Sequence, residues 1–142
     1  MSRILAVDYG EKRTGIAVTD ALQMIAGGLE TVDTSQLIPF LKNYFEKEEV
    51  EKIVIGYPKH LNNQPAEIAA EVENFAKNLK KEFPLLEIDF FDERFTSKIA
   101  FQTMLASGIG KEKRKNKALI DKISATIILE NYLESKNYLK TR

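Results

Sequence analysis

Arg3-Ile4-Leu5-Ala6-Val7-Asp8-Tyr9-Gly10, continued by Glu11-Lys12-Arg13-Thr14-Gly15-Ile16-Ala17-Val18, decides how this chain begins to fold. The four apolar residues from Ile4 to Val7 read as a strand buried on both faces. The run stops at a carboxylate, Asp8. A carboxylate at the end of a buried strand costs free energy unless it is paired, metal-bound or solvated at the sheet's edge. Gly10 supplies a turn, and the chain resumes as a second strand over residues 14–18. The two strands read as a β-hairpin that presents Asp8 at its open edge. Asp8 is then either a turn residue that bonds backbone N–H groups or part of a site.

Outward from the hairpin, residues 25–32 read as a third strand, weakened by Gly27 and Gly28. Three strands with short connections form an antiparallel meander. Asp33, Thr34 and Ser35 offer N-caps for a helix. That helix carries Leu37, Ile38, Leu41, Tyr44 and Phe45 at helical spacing, with Pro39 in its tolerant first turn. Residues 51–56 form a short β-branched strand that leaves through Gly56-Tyr57-Pro58 into a polar loop, residues 59–63. Pro65 opens a second helix, whose apolar stripe is Ile68, Ala69, Val72, Phe75, Ala76 and Leu79. Pro84 ends it. Residues 86–91 are the fifth strand, followed by Asp92-Glu93-Arg94. A helix starts at Phe95-Thr96-Ser97 and runs to about Ser107, with Gly108 as its C-cap. The last helix spans about residues 117–133 and holds the apolar run Ile123 to Leu129. Residues 134–142 read as a polar tail that can fray. The pattern β-β-β-α-β-α-β-α-α makes an α/β protein, a mixed five-stranded sheet flanked by helices, in a single domain over 1–142.

The composition narrows the chemistry. The 142 residues suffice for one domain with a sizeable core. The absence of cysteine removes disulfides, thiolate metal sites and thiol nucleophiles. His60 is the only histidine, so a zinc site has too few ligands. No apolar run reaches the roughly 18 residues of a membrane span, and the start lacks a signal-peptide pattern; a cytoplasmic address is expected. Net charge is zero, but residues 1–110 carry 12 basic and 17 acidic side chains, and residues 111–142 carry 9 and 4. The basic excess is concentrated in residues 111–117, where five of seven positions are Lys or Arg. Such a run is either a solvated charged surface or a loop that contacts phosphates.

Three carboxylates share an unusual setting. Asp8 ends the first strand, Glu93 follows the fifth, and Asp121 starts a buried helix with Ala125 and Ile128 one and two turns on. If the first and fifth strands run the same way, Asp8 and Glu93 emerge at one edge, and the last helix can bring Asp121 over it. Three carboxylates together repel, and a divalent cation relieves that repulsion. Oxygen ligands favour Mg²⁺ or Mn²⁺. Each acid also has an ordinary alternative: a turn residue for Asp8, a partner of Arg94 for Glu93, a helix N-terminal charge for Asp121.

The motifs resemble those of the YqgF family, regarded first as Holliday junction resolvases and now more often as pre-16S rRNA nucleases. Asp8-Tyr9-Gly10-x-x-Arg13-Thr14-Gly15-Ile16-Ala17-Val18-x-Asp20 resembles the family's opening. Gly56-Tyr57-Pro58 is similar to its strand exit, and Asp92-Glu93-Arg94-Phe95-Thr96-Ser97 to its acidic motif. Lys113-Arg114-Lys115 and Asp121-x-x-Ser124-Ala125-x-x-Ile128-Leu129 look like its basic loop and final helix. Ser97, Ser124 and Asn63 depart from the usual Thr, Ala and Gly.

The resemblance implies a ribonuclease H-like fold in which Asp8, Glu93 and Asp121 are the catalytic, metal-binding acids, with Mg²⁺ or Mn²⁺ as cofactor. It implies hydrolysis of phosphodiester bonds in structured nucleic acid, RNA favoured over DNA, in maturing the 5′ end of 16S rRNA, with ribosomal particles as partners. Lys12, Arg13, Arg94 and Thr96 are expected near the scissile backbone, and Lys113, Arg114 and Lys115 on more distant phosphates. Monomer and homodimer both remain open. The rival readings are a DNA junction resolvase, a non-catalytic RNA-binding assembly factor, and a nucleotide phosphotransferase. Classical junction resolvases of this fold carry a second acid at the position of Ser124, which weakens that rival. Neutralising Lys113, Arg114 and Lys115 together should weaken nucleic-acid binding and flatten its salt dependence; an unchanged slope in a salt titration would exclude the run from the interface.

Overall fold

The run from Ile4 to Val7 becomes the central strand of a five-stranded sheet. In the computed structural model, which describes residues 2–57, 66–92 and 117–140, β1 is Arg3–Asp8, β2 Arg13–Thr19 and β3 Ala26–Asp33. β4 is Val50–Tyr57 and β5 Glu87–Asp92. The spatial order is β3-β2-β1-β4-β5. β1, β2 and β3 form the expected antiparallel meander, while β4 pairs parallel to β1 and β5 parallel to β4. β1 and β5 therefore run the same way, which is the condition that puts Asp8 and the end of β5 at one edge.

Alternation along β1 divides the interior into two cores. Leu5 and Val7 face one side with Ile16, Ile53 and Ile55, against Leu37 and Leu41 of α1 (Leu37–Lys47) and Val72, Phe75 and Leu79 of α2 (Ala66–Glu82). Ile4 and Ala6 face the other side with Ala17 and Val54, under Ala125, Ile128, Leu129 and Tyr132 of α3 (Lys117–Lys140). Among the described residues, the first face is built of large side chains and takes two helices. The second has small residues at its centre and lets one helix approach closely.

Two local expectations change. Asp33 does not cap α1. A 3-10 turn over Thr34–Gln36 intervenes, and no side chain bonds its start or that of α1. Thr34 is used elsewhere: its hydroxyl donates to the Gly10 carbonyl at 2.6 Å, and its N–H to the Lys12 carbonyl at 2.9 Å. This ties the end of β3 to the β1–β2 turn. The last helix also outruns its expected end near residue 133 and continues to Lys140. No Gly or Pro follows Leu133 to stop it. The expected helix at 95–107, the loop with His60, Pro65 and Asn63 lie outside the described residues.

The β2–β3 turn is built around Asp20. Its carboxylate accepts from the amides of Met24 and Ile25 at 2.8 and 2.9 Å, with Gln23 at φ 59° between. The Ile25 and Met24 amides hold the Asp20 carboxyl below the usual carboxylate range.

At the opposite edge, three polar groups fasten α3 to the sheet. Tyr132 Oη donates to Asp89 Oδ2 at 2.8 Å and accepts from Lys52 Nζ at 2.8 Å. Lys52 also lies 3.7 Å from Glu87 Oε2. Tyr132 is buried, so its hydroxyl is the shared partner of two charged groups away from bulk water. Tyr132→Phe should cost about 1–3 kcal/mol, the range for leaving such groups unmet. The check is the urea denaturation midpoint at unchanged cooperativity.

Candidate active site

The alternation that puts Ile4 and Ala6 on the α3 side puts Asp8 there as well, at the carboxyl end of the central strand. Asp8 pairs across the sheet with Gly15 of β2. Opposed residues of an antiparallel pair lie about 4.5–5.5 Å apart. Gly15 is covered by the backbone of α3: a Cβ there would meet the Asp121 carbonyl oxygen at 2.0 Å, its carbon at 2.3 Å and the Lys122 nitrogen at 3.0 Å. No real Cβ fits such a gap. The missing side chain of Gly15 thus lets α3 touch the sheet at Asp121, one strand away from Asp8. Gly28 on β3 works similarly under Lys122, whose Cγ would stand 2.7 Å from an added Cβ.

Further bonds fix the start of α3 and the turn beside it. Thr31 Oγ1 donates to the Ala118 carbonyl at 2.6 Å. The hydroxyls of Thr14 and Thr34 lie 2.9 Å apart. With the Thr34 bond to Gly10, they brace the turn that carries Glu11 and Lys12, both exposed.

Asp121 is the fifth residue of α3, beyond the first turn, so the helix N-terminus does not account for its charge. Its partner is Arg13, whose Nε lies 3.0 Å from Asp121 Oδ2. Arg13 was expected on a phosphate; in the structure it is the counter-ion of an expected catalytic acid. Ser124 is buried at 5% exposure, so the place of a second helix acid holds a small hydroxyl inside the packing.

The structure therefore pairs Arg13 with Asp121 and seats the Asp121 backbone on Gly15, the residue opposite Asp8, with Lys12 on the adjoining turn. Glu93 follows directly on β5, which ends at Asp92, but lies outside the described residues, as do Arg94, Thr96, Lys113, Arg114 and Lys115. Among the described residues no group of three carboxylate or imidazole side chains forms a metal cage. None of the helices described there is long and apolar enough to cross a membrane. The role of Gly15 was missed from sequence, although glycine inside an apolar strand is the available signal of close backbone approach.

Comparison with solved structures places the fold. T. thermophilus RuvC in complex with Holliday junction substrate matches with a TM-score of 0.60 over 96% of each chain, at 13% identity. The fowlpox virus resolvase, in complex with Holliday junction DNA, matches with 0.54 over 94% of this chain and 97% of that one, also at 13% identity. The chain has the ribonuclease H-like fold of these resolvases. Within that fold it belongs to the RuvX family, described as Holliday junction resolvase, whose model matches residues 2–135. Relatives bearing the name "Putative pre-16S rRNA nuclease" include one from Phocaeicola vulgatus, 57% identical over 98% of this chain and 100% of its own. Another, from Bacteroides thetaiotaomicron, is 56% identical over 97% and 100%. The YqgF resemblance read from the motifs thus holds along almost the whole chain.

Replacing Gly15 by Ala should destabilise the protein by about 1–3 kcal/mol, the usual cost of overpacking. Gly27→Ala is the control: an added Cβ there meets nothing within 4 Å, and the change should stay within about 0.5 kcal/mol. Chemical denaturation of the two variants side by side makes the comparison.

Proposed function

We propose that this protein is a metal-dependent endonuclease that hydrolyses phosphodiester bonds of structured nucleic acid, acting in 5′-end processing of pre-16S rRNA. The observation that carries the proposal is that Asp8 lies opposite Gly15, onto whose Cα the backbone of α3 packs at Asp121. This contact lies at the carboxyl end of the central strand. In sheets with parallel strands this end is where ligands bind. The RNA substrate comes from the name that the relatives bear, and the nuclease class from the family.

The donor set suits a hard cation. Asp8 and Asp121 offer carboxylate oxygens, Glu93, next in the sequence after β5, adds a third, and no described residue brings sulfur or imidazole near them. Mg²⁺ or Mn²⁺ is the ion these residues would hold. When bound, such an ion lowers the pKa of a coordinated water and steadies the charge on the phosphate oxygens.

The protein's own groups do the rest. Asp8, on a rigid central strand, fixes one side of the site. Asp121, on a helix seated on that sheet, fixes another. Lys12 and Arg13 hold the backbone phosphates next to the cut, and Arg94 and Thr96, which follow β5 in the sequence, extend that grip. The basic run at Lys113, Arg114 and Lys115 binds further along the strand, with affinity that depends on charge more than on sequence. No side-chain nucleophile is required, which matches a chain without cysteine.

The test is single-turnover cleavage of a short pre-16S rRNA 5′ leader and of a four-way DNA junction, each with Mg²⁺, with Mn²⁺ and with EDTA. Asp8→Asn should abolish metal-dependent cleavage while leaving the melting temperature, and nucleic-acid binding in EDTA, close to wild type. Cleavage by this variant at the wild-type rate would refute the assignment. Cutting of the junction alone would move the substrate to DNA. RNA binding without any cleavage would leave an assembly factor.

A further inference from the structure

Arg13 and Asp121 lie 108 positions apart, yet their charged groups meet at 3.0 Å beside Gly15. The contact uses Nε alone. It is a single-point pair, short of the two-pronged grip in which arginine holds a carboxylate most strongly. The terminal guanidinium nitrogens make no hydrogen bond within the described residues. The side chains of Arg13 and Asp121 are 37% and 24% exposed, so solutes reach both without unfolding. A pair this exposed adds little to the stability of the fold. Its larger consequence is electrostatic: a cation held on a carboxylate opposes a second cation on the same oxygens.

The backbone of Arg13 is fixed as the first residue of β2, opposite Asp33. Its side chain is long enough to leave Asp121 and turn outward beside the exposed Lys12. A nucleic-acid phosphate there offers the guanidinium the planar, two-point partner that Asp121 does not provide in this geometry.

Resting on the carboxylate site proposed above, we propose that Arg13 is a positioning residue that couples substrate to cation. In the free protein its guanidinium is the counter-ion of Asp121 and keeps the site weak for divalent ions. An arriving phosphate takes over the guanidinium, and Asp121 is released to the cation. Nucleic acid then raises cation affinity, and the cation raises nucleic-acid affinity by the same factor. The device confines full assembly of the site to the substrate complex.

The experiment is Mn²⁺ binding followed by electron paramagnetic resonance, with and without a phosphorothioate RNA hairpin. It compares wild type, Arg13→Gln, Arg13→Lys, Asp8→Asn and Asp121→Asn. Arg13→Gln should tighten Mn²⁺ binding by the RNA-free protein about tenfold, the low end of what one neighbouring charge does to a carboxylate. RNA should then add little, whereas it tightens binding to wild type. Arg13→Lys keeps the charge and should stay near wild type. Unchanged or weaker Mn²⁺ binding by Arg13→Gln would overturn the proposal, and so would equal tightening in both Arg13 variants. Asp8→Asn and Asp121→Asn separate the two levels of inference. If they retain wild-type Mn²⁺ affinity, the carboxylate site itself fails. If they lose it while Arg13→Gln does not gain, only the role of Arg13 fails.

Discussion

The contact on which this structure depends is steric: the backbone of α3 at Asp121 rests on the bare Cα of Gly15. Everything on that side of the sheet follows from it. The small residues Ala6 and Ala17 continue the shallow surface along which the helix lies, and Ala125 is the matching small residue on the helix. The remaining volume is filled by Ile128, Leu129 and Tyr132 further along. A side chain at position 15 would lift the first turns of the helix and separate Asp121 from Asp8. Close packing at that point is thus also a statement about charge, because it sets where the Asp121 carboxylate meets Arg13.

α3 is secured by different means near its start and further along. Near Asp121 the hold is shape, with Thr31 bonded to the Ala118 carbonyl. Near Tyr132 it is a hydrogen-bonded chain through Lys52 and Asp89. Asp121 and Tyr132 are eleven residues apart, about 16 Å along the helix at 1.5 Å per residue. The helix crosses β1 and β2 between the meander edge and the parallel edge, so it joins the two halves of a mixed sheet.

Much of this was legible in the sequence because it is encoded locally. The apolar runs at Ile4–Val7 and Ile53–Ile55, and the stripe through Val72, Phe75 and Leu79, each report their own burial by spacing alone. The placement of Asp121 was readable from Ala125 and Ile128, which share its face. What was not legible depends on partners far along the chain. Nothing around Arg13 says that its counter-ion is Asp121, and nothing around Gly15 says which backbone will lie on it. Thr34 looked like a helix cap because Ser, Thr and Asp favour caps; the Gly10 carbonyl, 24 residues earlier, took its hydroxyl instead. The length of α3 was missed because the polar residues after Leu133 carry no packing signal, and helix propensity alone continues it.

The separation of Arg13 from Asp121 also has a meaning in time. A chain emerges from the ribosome N-terminus first, at about 5–20 residues per second. The hairpin bearing Asp8 and Arg13 is therefore made roughly 5–20 s before the helix that completes it, given the 108 residues between them. Through that interval the Ala6, Ala17 and Val54 face has no cover from α3. A nascent chain of this protein, still threaded through the particle that makes it, holds Arg13 without Asp121 and has a second core that α3 has not yet covered.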